Sequence, residues 1–135
     1  MYPNRAGGAA AYARVGVESD VLSASPHRLI TLLFEGADRA IRTAGVHMND
    51  GNKAEKGKAI SKALDIVNRG LLAALDRERG GELAERMASL YEYIARLLLK
   101  ANLHDDAAAL DEARRLLGDL ASAWREIDPE NGREV

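Results

Sequence analysis

Apolar residues recur along this chain at three- and four-residue spacing in four separate runs, the signature of amphipathic helices. The first run is Leu29, Ile30, Leu33, Ala37, Ala40, Ile41 and Ala44, widened by Leu32 and Phe34. Ser25-Pro26 in front of it is a helix start. Serine accepts a backbone N–H as N-cap, and proline at the first helical position has no donor to leave unpaired. "HMNDGN" then stops the helix with turn-forming residues. The second run, from Lys53 to about Asp76, carries Ile60, Leu64, Val67, Leu71 and Leu75, with Ala63, Ile66 and Leu72 beside them. "ERGGE" breaks the chain again. The third run, Leu83, Met87, Leu90, Ile94, Leu97 and Ala101, has the alternating spacing of a bundle seam. Tyr91 and Leu98 form an adjacent stripe, while Tyr93 and Leu99 point elsewhere. After "ANLHDD", in which Asp105 or Asp106 serves as N-cap, the fourth run is Leu110, Ala113, Leu117, Leu120, Trp124 and Ile127. Asp128-Pro129 ends it, because the residue before proline is pushed out of the α region.

Four helices of roughly 30 Å joined by short connections pack as antiparallel neighbours. The pattern predicts an all-α, up-down four-helix bundle over residues 25–127. A polar tail follows at 128–135, and a weakly structured N-terminal arm precedes it at 1–24. The arm ends in "AYARVGVESDVLSASP", which is too apolar for a plain solvated leader and too broken by Gly16 and small polar residues for a long helix. Proline occurs only at Pro3, Pro26 and Pro129, so the whole predicted bundle interior is free of it.

Composition narrows the function classes. The 135 residues fit one domain, and the absence of cysteine removes disulfides and thiolate metal sites. Nineteen basic against 21 acidic residues leave a net charge of −2 with no strong basic stripe, which argues against nucleic acid as a partner. The best apolar run, "IARLLL", is too short to insert in a membrane. No leucine-rich segment follows Arg5, so a signal peptide is not expected and the expected compartment is the cytosol. "GNKAEKGKA" has five residues between its glycines and Ala59 where a phosphate loop needs a hydroxyl, so it reads as a turn and helix start. The residues three before His27, His47 and His104 are all alanine, which excludes the Glu-x-x-His pattern of a bundle metal site. His27, in a first helical turn, is expected to be solvated, and Trp124 is expected to be a core anchor. No catalytic arrangement emerges, so neither an enzyme nor a cofactor is expected.

What remains is a surplus of apolar stripes. Helices two to four carry two adjacent stripes where an edge helix needs about one broad face. Leu72, Leu98, Leu99, Leu116 and Tyr93 cannot all face one bundle axis. Exposed grooves suit a partner that docks as an amphipathic helix. The alternative is a structural bundle whose surplus faces close a homodimer.

The order and spacing of "AYARVGVES", "SASPHRLITLLFEGA", "KGKAISKALDIVNRGLLAALD", "GGELAERMASLYEYIARLLLKAN" and "LLGDLASAW" resemble the flagellin-specific export chaperone family (FliS) from about Tyr12 to Ile127. The resemblance implies a small cytoplasmic chaperone without ATPase activity. It would bind the disordered C-terminal segment of flagellin, prevent premature polymerisation and deliver it to the flagellar type III export apparatus. It implies client contacts from Tyr12 and Val17 in the arm, Ile60, Leu64 and Leu71 on the second helix, and Leu98 on the third. Core packing is the competing role for each of these. Asn102 and Asp106 match the family's "AN…D" stretch as polar client contacts, with a helix C-cap as the competing role for Asn102. An arm carrying Tyr12, Val15 and Val17 would lie over an empty groove and move aside for the client. Deleting residues 1–16 is therefore expected to leave the bundle folded while altering client affinity or raising self-association. Circular dichroism and light scattering check this, and loss of the helical fold would place the arm in the core.

Overall fold

The computed structural model describes residues 24–127, so the expected contacts of Tyr12 and Val17, the arm before residue 24 and the tail lie outside the described residues. Every regular element among them is helical: α1 (Pro26–Asn49), α2 (Lys53–Asp65), a π-helical segment (Ile66–Leu72), α3 (Arg77–His104) and α4 (Ala107–Glu126). The elements form an antiparallel four-helix bundle in which each helix packs beside the next and α4 closes back on α1. Leu33, Phe34, Ala37 and Ile41 of α1 meet Ile60, Ala63 and Val67, with Ile94 and Leu98 of α3 and Ala113 and Leu117 of α4, in one continuous core.

Local chemistry sets the helix ends. Ser25 Oγ accepts from the Arg28 N–H at 3.1 Å, with Pro26 as the first helical residue. Asn52 and Asp76 cap α2 and α3 in the same way. Of the two aspartates before α4, Asp106 is the cap, accepting from the Ala109 N–H at 3.0 Å. Asp105 is instead the C-cap of α3, with φ of 52° in the left-handed region. Asn102 stays helical, so its expected C-cap role passes to Asp105.

Two expectations about the helices change. The second run is not α-helical to Asp76. It switches to π winding at Ile66, where Ala73 N–H reaches Asn68 C=O five residues back at 3.2 Å. The wider turn lets the adjacent pairs Ile66–Val67 and Gly70–Leu71 all face inward. Gly70 lets this segment and α1 approach closely there, since a Cβ would stand 3.0 Å from a Leu33 methyl. Second, the seam of α3 is not the predicted stripe alone. Ala84, Ala88, Tyr91 and Leu98 from the adjacent stripe are buried, while Leu83 and Leu90 are exposed. The small alanines let α3 approach its neighbours closely, which rotates the second stripe inward.

Among the described residues one charged side chain is buried. Lys56 is 4 % exposed, and its ammonium reaches under the C-terminus of α3. There it donates to the Asn102 carbonyl at 3.0 Å and to the Asp105 carboxylate, which Lys53 also meets at 3.4 Å. The carbonyls at a helix C-terminus lack intrahelical partners and carry partial negative charge, so a cation is favoured in this place. The Lys56 hydrogen bond holds the Asp105 carboxyl below the usual carboxylate range.

Tyr91, at 2 % exposure, packs its ring 6.4 Å from Phe34 in the core. Burial pushes its phenol above the ordinary value. Among the described residues its hydroxyl has no hydrogen-bond partner.

Two predictions follow from these buried polar groups. Lys56→Met keeps the stem and removes the donors, and is expected to cost about 1.5–3 kcal/mol at neutral pH, the range for hydrogen bonds to charged groups. Because the Asp105 pKa is depressed on folding, its share of that stability is full above the unfolded value of about 3.9. The share is lost as pH falls through the lower folded value. The difference in Tm between wild type and Lys56→Met should thus narrow only in the acid range, and an equal difference at pH 2 and pH 7 contradicts the linkage. Tyr91→Phe removes a buried hydroxyl that has no partner among the described residues, a group that costs about 1–3 kcal/mol when unsatisfied. Its Tm should match or exceed that of the wild type, and a drop of several degrees would mean that the hydroxyl is bonded after all.

Candidate binding groove

The lengths of the helices create an opening. α3 has 28 residues and α4 has 20. Counting back from the Asp105-Asp106 turn, the end of α4 at Glu126 stands beside roughly residue 85 of α3, since both helices rise equally per residue. The first turns of α3 therefore project past the end of α4. Gly81, with φ of 54° and ψ of −132°, breaks the α3 winding here in a conformation that side chains oppose. It bends the turn Arg77–Gly80 away from the helix axis.

Leu83 stands in this part of α3 and is 62 % exposed, whereas Ala84 and Ala88 on the inward face are buried. Met87 is half-buried. The result is a groove of about 600 Å³ at one end of the bundle. Leu83, Met87 and Tyr91 of α3 form one wall, and Leu120, Trp124 and Ile127 of α4 the other. Leu71 and Leu75, at the end of the π segment, and Ile30 of α1 close it. The polar residues at its rim, Asp76 and Arg79, pair with each other at 3.7 Å and leave the lining apolar.

Trp124 is held in a defined pose. Its ring stacks on His27 with centroids 4.5 Å apart and planes 7° from parallel. His27 Nε2 donates to the Trp124 carbonyl at 2.8 Å, and Trp124 Nε1 donates to the His27 carbonyl at 3.1 Å. His27 is thus half-buried and engaged rather than solvated, because the last turn of α4 comes to rest against it. Trp124 packs against the core as expected, and its half-buried side forms wall of the groove as well.

The sequence-derived contact residues scatter over the molecule. Only Leu71 joins the groove, as a 2 % exposed part of its floor. Ile60 and Leu98 are wholly enclosed in the core and present no surface in this conformation. Leu64 is half-buried on the outside of α2, in a polar hollow with Ser61, Lys62 and Arg69. Asn102 and Asp106 sit at the opposite end of the bundle. There Asn102 offers its carbonyl to Lys56, and Asp106 caps α4 and lies 3.7 Å from Lys100. The sequence reading missed Leu83, Met87, Leu75, Trp124 and Ile127 as groove residues. Its signal for the first two was present: a seam that begins immediately after Gly80-Gly81, where a preceding turn swings clear. Among the described residues there is no metal-binding cluster, and no helix is long and apolar enough to cross a membrane.

Residues 8–131 match the family profile of the Flagellar protein FliS. The chain is 49 % identical over 124 residues to the flagellar secretion chaperone FliS of Salmonella typhimurium, covering 92 % of each chain. It is 44 % identical to the flagellar secretion chaperone FliS of Escherichia coli, covering 88 % of each. A relative of the same name in Bacillus subtilis is 28 % identical over 81 % of this chain and 80 % of its own. A bundle with one uncovered apolar end, matched along nearly its full length in this way, belongs to the FliS family of flagellar proteins.

Proposed function

We propose that this protein is a flagellar secretion chaperone that binds the disordered C-terminal segment of flagellin in the cytosol. It keeps that segment from polymerising and hands it to the flagellar export apparatus. The observation that carries the reading is the apolar groove between α3 and α4, where among the described residues Leu83 and Ile127 stay exposed and Met87 and Trp124 half-buried. An amphipathic helix laid into that opening extends the bundle, its apolar face meeting the groove as a further helix would. Family membership and the names of the relatives support flagellar secretion as the setting.

The energetics suit a chaperone that works by binding alone. Ordering a disordered segment costs about 2–5 kcal/mol of the gross interaction energy. Each fully buried leucine-class side chain contributes about 1.5–3 kcal/mol, so a few anchors in the groove offset that cost. No nucleotide-driven step is needed for release, since a complex held by apolar contacts dissociates reversibly. Leu64, Asn102 and Asp106 are proposed as further contacts where the client continues past the groove over α2 and the far end of the bundle. Ile60 and Leu98 would act from beneath, by shaping the surface on which it lies.

Co-purification with full-length flagellin and with flagellin lacking its C-terminal segment tests the assignment. Capture of the first and not the second is expected, and equal capture of both overturns it. Leu83→Asp places a charge at an exposed position of the groove, and should leave Tm nearly unchanged while weakening client binding at least about tenfold, as for a central interface anchor. A variant that binds as the wild type does would remove the groove from the reading. Light scattering of the free protein decides the rival reading, in which a second copy covers the groove: a monomer that becomes 1:1 with client excludes a purely structural dimer.

A further inference from the structure

We propose that His27 is the positioning residue of this groove: it fixes the indole of Trp124 in the orientation that an apolar anchor of the client meets. The inference rests on the reading of the groove as the client site.

The clasp joins residues 97 apart in sequence, the first turn of α1 and the last turn of α4. A carbonyl only accepts, so the 2.8 Å bond to Trp124 C=O places a proton on His27 Nε2. That carbonyl belongs to the last turn of α4 and also accepts from the Ile127 N–H at 3.3 Å, so His27 adds a second and shorter bond to it. The reverse bond anchors the indole N–H, the only polar atom of that side chain. The stack then occupies one face of the indole. His27 does not itself line the groove, so it backs the indole from behind while Trp124 forms wall.

A half-buried indole on the final turn of a helix would otherwise rotate about two side-chain torsions and sample several walls. Two restraints act on the ring, the stacked imidazole and the main-chain carbonyl of His27 that accepts its N–H, while the imidazole donor seats the turn of backbone that carries the ring. Fixing an anchor before the partner arrives removes its ordering cost from the binding step. Tryptophan is also the residue type most enriched among the few that carry interface energy. Phenylalanine at position 27 would keep the stack and lose the donor. Glutamine would keep a donor and lose the stack. Only the imidazole supplies both.

The test uses the full chain and a synthetic peptide of the flagellin C-terminal segment. Trp124 is the sole tryptophan, so time-resolved fluorescence anisotropy reads its local motion without labelling. In His27→Phe and His27→Gln the fast local depolarisation of the indole should grow. Peptide affinity should fall about tenfold, a loss expressed mainly as faster dissociation. Ile41→Val, a core truncation away from the groove that lowers Tm without touching the clasp, should leave both readouts at wild-type values. An indole as rigid as in the wild type, or a mobile indole with affinity within about twofold of it, overturns the proposal. Should His27→Phe fail to fold, His27→Gln decides alone. Leu83→Asp separates the two claims. If it abolishes binding while the His27 variants bind normally, only the positioning role falls. If it too binds normally, the groove reading falls and the positioning role with it.

Discussion

The mismatch in length between α3 and the helix packed against it is the constraint on which the rest of the molecule depends. A bundle seam is stable only where a partner helix covers it, because the apolar stripe gains from leaving water and from nothing else. In α3 the first turn outlasts its cover. The inward face from Ala84 to Ala101 is core, while Leu83, beyond the end of α4, stands in solvent and Met87 is half-buried in the groove wall. No special residue chemistry is needed to make the opening. It follows from ordinary helix geometry once the turn at Asp105-Asp106 fixes where α4 begins and Ile127 fixes where it stops.

The two ends of the bundle are built to different purposes. At the closed end a buried lysine is inserted under the α3 terminus and held by a carbonyl and a carboxylate. Breaking such an arrangement is costly, so the connection between α3 and α4 is a firm reference point. At the open end the polar rim pairs with itself, the lining is apolar, and the links between helices are a stacked ring pair and two hydrogen bonds. Stability in proteins is distributed unevenly, and the regions that receive partners are drawn from its lower range. Exposed ion pairs such as Asp38 with Arg42 and Arg114, each at 3.1 Å, add little to either end.

Much of the fold was legible in the sequence because it depends on local rules. The four periodic runs, the Ser25 cap, the Asp50-Gly51 turn and a cap at Asp106 all follow from spacing and from side-chain hydrogen bonding to nearby N–H groups. The site was less legible. Leu83 and Met87 were read as part of the α3 seam, but the buried face there is Ala84, Ala88 and Tyr91, and periodicity does not say which of two adjacent stripes is covered. Ile60 and Leu98 could not be told from groove residues for the same reason: a stripe gives a direction, not a depth. The contacts of Lys56 with Asn102 and of His27 with Trp124 join residues 46 and 97 positions apart, and no local pattern announces them. The π winding at Ile66 was hidden because its residues also satisfy an α-helical count.

That π segment has a consequence for how such a protein changes over generations. A π turn accommodates one residue more than the α turn it replaces, and here it ends at Leu71 and Leu72, beside the groove floor. A single-codon deletion within Ile66–Leu72 would let the segment rewind as α-helix and bring a different side chain to the floor. The α3 and α4 walls would stay as they are. The shape of the groove is thereby open to adjustment by insertion and deletion as well as by substitution, at an irregular stretch after α2 that the fold already tolerates.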